Sequence, residues 1–155
     1  MNDEHYMQLA LDACREGVEA GQSPFGACVV RDGDVLAREH NHVRLHHDAT
    51  AHAEVCAIRV ACGRLATHHL EGATIYSTTE PCPMCFTAIH WARVKRIVYA
   101  ARVADARSFG FNELQIPNAT MKEIGVSGVE ITPDFMRDEA LALYRYWRAS
   151  GGSPY

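Results

Sequence analysis

Between residues 3 and 20 the apolar side chains Tyr6, Leu9, Ala10, Ala13, Cys14 and Val18 recur at steps of three and four, the spacing of one helix face. Gly21 follows as a stop. Gly26–Arg31 is a short apolar run and reads as a strand. Asp32-Gly33 is a hairpin turn signal, which makes residues 35–42 the partner strand. Residues 46–49 are polar loop. A helix is predicted over residues 51–65, with Thr50 as its cap. The β-branched and aromatic stretch at 74–78 predicts a strand. Pro83 suits the first turn of another helix, ending near Arg93. A strand follows at 96–100. Residues 102–120, interrupted by Gly110 and Pro117, read as loop. A short strand at 129–132 and a helix at 134–149 complete the pattern. Residues 150–155 form a tail whose Ser-Gly-Gly-Ser composition reads as flexible.

Five strands interleaved with helices predict a three-layer α/β/α sandwich on a mixed five-stranded sheet. Residues 1–149 make one domain, and 150–155 a tail able to close over a site. The length of 155 residues and a hydrophobic content of 48% suit one packed core. The net charge of −4 provides no basic face, so nucleic acid is not the expected partner. No secretory signal pattern and no run of membrane-spanning length occur, which points to the reducing cytoplasm and away from a membrane. Of the six cysteines only Cys82 and Cys85 are close in sequence. In that compartment a C-x-x-C pair binds metal or does redox work.

Two motifs carry the chemistry: His52-Ala53-Glu54 and Pro81-Cys82-Pro83-Met84-Cys85. Each lies past the carboxyl end of a strand and leads into a helix, where ligand sites of such sheets are found. One imidazole and two thiolates are the ligand set of an open zinc site. The positive end of a helix favours thiolates at its start. The order H-x-E then P-C-x-x-C is the signature of zinc deaminases, with the glutamate as proton carrier rather than ligand. Two other readings stay open. Cys56, four residues after His52, could close the site as a fourth, structural ligand. A thioredoxin-like redox pair would use Cys82 and Cys85 but leaves His52 and Glu54 unexplained.

The chain resembles the cytidine and cytosine deaminase superfamily, from Pro24-Phe25-Gly26-Ala27 through the two motifs to Trp91-Ala92-Arg93. Within it, the chain is most similar to the small guanine deaminases, through Asn41, the 50–54 block, the 88–93 block, Gly110-Phe111-Asn112-Glu113 and the terminal tyrosine. The resemblance implies a cytidine deaminase-like fold and one zinc ion per subunit on His52, Cys82 and Cys85, with Glu54 as the proton shuttle. It implies hydrolytic deamination of a free nucleobase, guanine to xanthine and ammonia, with cytosine or another aminated heterocycle as the alternative substrate. Asn41, Phe25, Ala53, Trp91, Glu113 and Tyr155 would contact the base, in a homodimer that exchanges its C-terminal segments. From the residues alone, Asn41 is equally a turn residue, Phe25 and Trp91 core or interface aromatics, Glu113 a solvated carboxylate and Tyr155 a frayed end. The tRNA adenosine deaminases share the metal motifs. They typically carry a Gly-Ala-Ala-Gly-Ser-like stretch where this chain has residues 104–111.

Overall fold

A computed structural model describes residues 2–155. Its elements are α1 (Asp3–Glu19), β1 (Gly26–Arg31), β2 (Asp34–His40), α2 (Val43–His46), α3 (Ala53–Leu65), β3 (Thr74–Thr79), α4 (Pro83–Trp91), β4 (Arg96–Ala101), α5 (Val103–Ser108), α6 (Asn118–Ile124), β5 (Glu130–Thr132) and α7 (Arg137–Ala149). The strands lie in the order β2-β1-β3-β4-β5. β1 runs antiparallel to β2 and β3, whereas β3, β4 and β5 are parallel. α1 and α7 pack together over the sheet, and α3 packs on β1–β3 beside α4. The predicted mixed α/β sandwich is therefore the observed fold.

Local chemistry explains the main joints. Asp32 (φ 54°) and Gly33 (φ 87°) both turn left-handed, as a two-residue hairpin requires. Gly26 opens β1 directly under α1. A Cβ there would lie 2.2 Å from the Ala10 carbonyl oxygen, so only glycine lets the helix settle this close. Every residue of β3 and all but the first of β4 are buried, as expected for strands covered on both faces.

The start of α1 is tied to the sheet by a partly buried cluster. Arg96 donates two hydrogen bonds to the Asp3 carboxylate (3.0 and 2.8 Å) and also reaches Thr132. The Tyr76 hydroxyl donates to Asp3 at 2.7 Å. The Arg96 guanidinium holds the Asp3 carboxyl below its usual range. That stabilisation is complete above the ordinary carboxylate pKa of about 4 and is lost as pH falls through the lowered value. Asp3→Asn is expected to lower stability by about 1–3 kcal/mol at pH 7, the worth of hydrogen bonds to a charged group. In urea titrations the gap from the parent should begin to narrow below about pH 4 and close as pH falls through the lowered value of Asp3.

The structure departs from the sequence reading in three stretches. Residues 102–120 hold α5 and the start of α6 rather than continuous loop, and α2 lies in the stretch after β2. β2 stops at His40: the Asn41 N–H still bonds the Phe25 carbonyl in register with the ladder, but the His42 N–H leaves it for the Ala51 carbonyl. Thr50 does not cap α3. Its hydroxyl bonds Asp48, and His52 occupies the cap position.

Candidate active site

His52 and Cys82 stand at corresponding places, each the extended residue just before a helix: φ −65°, ψ 154° ahead of α3, and φ −62°, ψ 168° ahead of α4. Neither side chain caps its own helix. Both turn instead toward Cys85 in the first turn of α4. His52 Nδ1 lies 3.6 Å from Cys82 Sγ and 3.5 Å from Cys85 Sγ. A tetrahedral zinc ion, with bonds of about 2.3 Å to sulfur and about 2.0 Å to nitrogen, holds such ligands about 3.5 Å apart. The donor set and its spacing therefore fit zinc. Among the described residues this is the one group of three side chains placed to hold a metal ion. Cys56 is not part of it, which removes the closed site with Cys56 as fourth ligand.

Electrostatics agree with this grouping. The Cys85 thiol and the His52 imidazole hold Cys82 down to about 4, so it is a thiolate. Cys85, next to that thiolate and buried, is pushed up. Burial pulls the His52 pKa down, but Cys82 and Glu54 outweigh it and leave it raised. Three donors sharing protons in this way would give them up to a divalent cation.

Glu54 is the second residue of α3 and is 6% exposed. On a regular helix, positions two apart face different ways, but the extended backbone of His52 removes that restriction. Glu54 Oε2 lies 3.5 Å from Cys85 Sγ, and Ser77 Oγ donates to Oε1 at 2.9 Å. The same Ser77 hydroxyl lies 2.6 Å from the Thr79 carbonyl oxygen. Burial pushes the Glu54 pKa up.

Above His52 and Cys82 opens a cavity of about 260 Å³, walled by Met84, Phe111, Glu113, Leu114 and Tyr155. A second, narrow inner cavity, which shares His52, Cys82, Glu113 and Tyr155 with it, is lined by Phe25, Glu54, Thr79 and Glu80. Burial, together with the charges of Cys82 and Glu54, pushes Glu113 up to about 7. Asn41 is fully buried with its amide held in one orientation. The Val43 N–H bonds its Oδ1 (3.0 Å), so Nδ2 is the side that donates toward the site, to the Tyr155 hydroxyl at 2.8 Å. The Tyr155 ring stands edge-on to Phe111 at 5.3 Å and lies 6.2 Å from the His52 ring.

The tail is thus seated on its own chain's site: Gly151 supplies a left-handed turn (φ 84°) and Gly152 a close approach. A Cβ on Gly152 would fall 2.2 Å from Trp147 Nε1, and one on Gly110 would fall 3.0 Å from Pro154. Arg44 donates to the carbonyl and hydroxyl of Ser153. Two expected contacts do not reach the cavity. Trp91 is the last residue of α4, at the opposite end of the helix from Cys82, and is 75% exposed. Ala53 is fully buried between His52 and Glu54, with its side chain in the core. Phe25 lines the inner cavity but is also edge-packed on Phe111 and Tyr144. Ser77, Met84 and Leu114 also line or support the site, and none is a defining position of a sequence motif. For Ser77 the available signal was a polar run, 77–80, directly after an apolar strand.

Residues 1–101 match the cytidine and deoxycytidylate deaminase zinc-binding region. The chain belongs to this zinc deaminase family. Guanine deaminase of Bacillus subtilis is 42% identical over 152 residues, 96% of this chain and 95% of that protein. The solved guanine deaminase from Nitrosomonas europaea superposes with a TM-score of 0.87 at 33% identity, covering 94% of this chain and 84% of that one. The tRNA-specific adenosine deaminase of Agrobacterium fabrum is 47% identical over 98 residues, 63% of this chain and 64% of that protein. As a member of this deaminase family the chain is a zinc-dependent aminohydrolase with a His/Cys/Cys metal group. Among the described residues, no helix of this deaminase is long and apolar enough to cross a membrane.

Proposed function

We propose that the protein hydrolyses guanine to xanthine and ammonia. His52, Cys82 and Cys85 would hold the zinc ion, which supplies Lewis acidity and brings the pKa of a coordinated water toward about 7. Glu54 takes one proton from the attacking water and delivers it to a ring nitrogen; it then takes the second proton from the hydroxyl now on the carbon and gives it to the amine, so that the C–N bond breaks, the carbonyl forms and ammonia leaves. Burial suits it to this work by bringing its pKa upward toward the working pH. Ser77 fixes one oxygen of that carboxylate and leaves the other facing the ligand cluster. Met84, Phe111 and Tyr155 enclose the flat ring and exclude bulk water.

The observation that supports guanine is an acceptor, Glu113, in the cavity wall together with a buried donor, Asn41, held behind the cavity-lining Tyr155. Asn41 offers an N–H to a ring nitrogen or carbonyl, exchanging its present partner Tyr155 for the base. Glu113 offers carboxylate oxygens to an edge of adjacent N–H groups. Guanine presents such an edge; adenine does not. Guanine deaminase similarity over nearly the whole length also supports this reading, whereas the tRNA deaminase similarity cited above spans 63% of the chain. The resemblance to guanine deaminases also supports a cytoplasmic homodimer as the active form. In it, residues 1–149 form the deaminase domain, and 150–155 close its site.

Ammonia release from guanine, cytosine, adenine, adenosine and a tRNA anticodon stem-loop tests the proposal. The expected kcat/KM for guanine exceeds the others by about 10³-fold or more, as for sites whose buried polar groups go unpaired with the wrong ligand. Equal or faster turnover of any other substrate overturns guanine as the substrate.

A further inference from the structure

Glu80 lies two residues before Cys82, is 4% exposed, and plays no part in the chemistry above. Its two carboxylate oxygens are used separately. Oε2 accepts the N–H of Val103, the first residue of α5, at 3.1 Å. Oε1 accepts the N–H of Asn118, the first residue of α6, at 2.7 Å. Those two amides bracket the stretch that carries Phe111, Glu113 and Leu114, which is one wall of the cavity. The stretch contains no strand, so the sheet does not hold it. Asn118, fully buried, also donates through Nδ2 to the Pro81 carbonyl oxygen at 2.6 Å, adjoining the Cys82 ligand. Glu80 is itself fixed to the sheet, its N–H donating to the Ala101 carbonyl at 2.7 Å.

We infer that Glu80 is a positioning residue that ties both ends of the 103–118 wall to the metal-ligand loop and so sets the distance between Glu113 and the ligands. The inference deepens the proposed function and, where it concerns substrate, rests on it. One carboxylate suits this task because it accepts from two converging backbone donors, whereas a side-chain amide accepts at one end only.

Glu80→Gln keeps the shape and turns an NH2 group against one of the two backbone N–H groups. The expected result has two parts. Hydrogen exchange of amides within 103–118 speeds up by about tenfold, with the rest of the chain unchanged, as for local opening of one unit. kcat/KM for guanine falls by about tenfold or more, chiefly through KM, because displacing a binding group by about 1 Å weakens its contribution steeply. Bound zinc stays at the wild-type level. Val103→Pro removes one donor at a helix position that tolerates proline, and it should reproduce the local exchange change. It serves as the deciding variant if Glu80→Gln does not fold. Unchanged exchange in 103–118, or exchange faster along the whole chain with KM unaltered, overturns the inference. Wild-type protein that does not deaminate guanine overturns the substrate reading alone, since the exchange experiment needs no substrate.

Discussion

Glu54→Gln is expected to keep its zinc and to lose guanine turnover by about 10³-fold or more, beyond what one general acid or base contributes alone. The amide fills the same volume and still accepts from Ser77. It cannot carry a proton, and both proposed transfers run through this one side chain. Loss should appear in kcat, because the contacts that bind the base lie on Asn41 and Glu113 instead. Metal analysis and a steady-state assay on one preparation decide the point. Near-wild-type turnover would assign the proton transfers elsewhere. Loss of the metal would make Glu54 a ligand or a structural support of the ligands.

Cys85→Ser should have the second large effect, this time on the metal itself. Its thiol sits buried between His52 and Glu54, and serine offers a shorter, harder and far less acidic donor. After dialysis the variant should retain less than about a tenth of an equivalent of zinc, since metal affinity here depends on deprotonated soft ligands. Activity should fall in the same proportion. Cys56→Ser is the paired control. Cys56 is half-buried and outside the ligand group, so its loss should leave zinc and turnover intact. If Cys56→Ser released the metal, the site would be the closed one that the sequence also allowed.

Much of this architecture could be read from the chain, and for identifiable reasons. The hairpin was legible because Asp32-Gly33 is a turn that few other dipeptides favour. The three ligands were legible because zinc chemistry restricts residue type and spacing at once. α5 and α6 were not, because runs of six and seven residues offer less than two turns of periodicity. Thr50 has the residue type of a helix cap, yet its hydroxyl donates to the nearby Asp48 instead. The tail shows the opposite error. Glycines 151 and 152 suggest freedom in one dimension, but in three dimensions Gly152 is the residue small enough to pass beneath the Trp147 indole. Trp91 was placed by analogy with aromatics that touch a ligand, and no local pattern could show that its turn of helix points away from the cavity.

The Ser77 hydroxyl has one hydrogen and two oxygens within reach, on Glu54 and on the Thr79 backbone. It can donate to Glu54 Oε1 when the carboxylate is ionised and also when the proton sits on Oε2, since Oε1 is then a carbonyl oxygen and still accepts. The same hydroxyl thus serves both charge states of the carboxylate with every heavy atom at rest. Such an environment is reorganised in advance for each half of the cycle, so alternation between base and acid needs no rearrangement of the core.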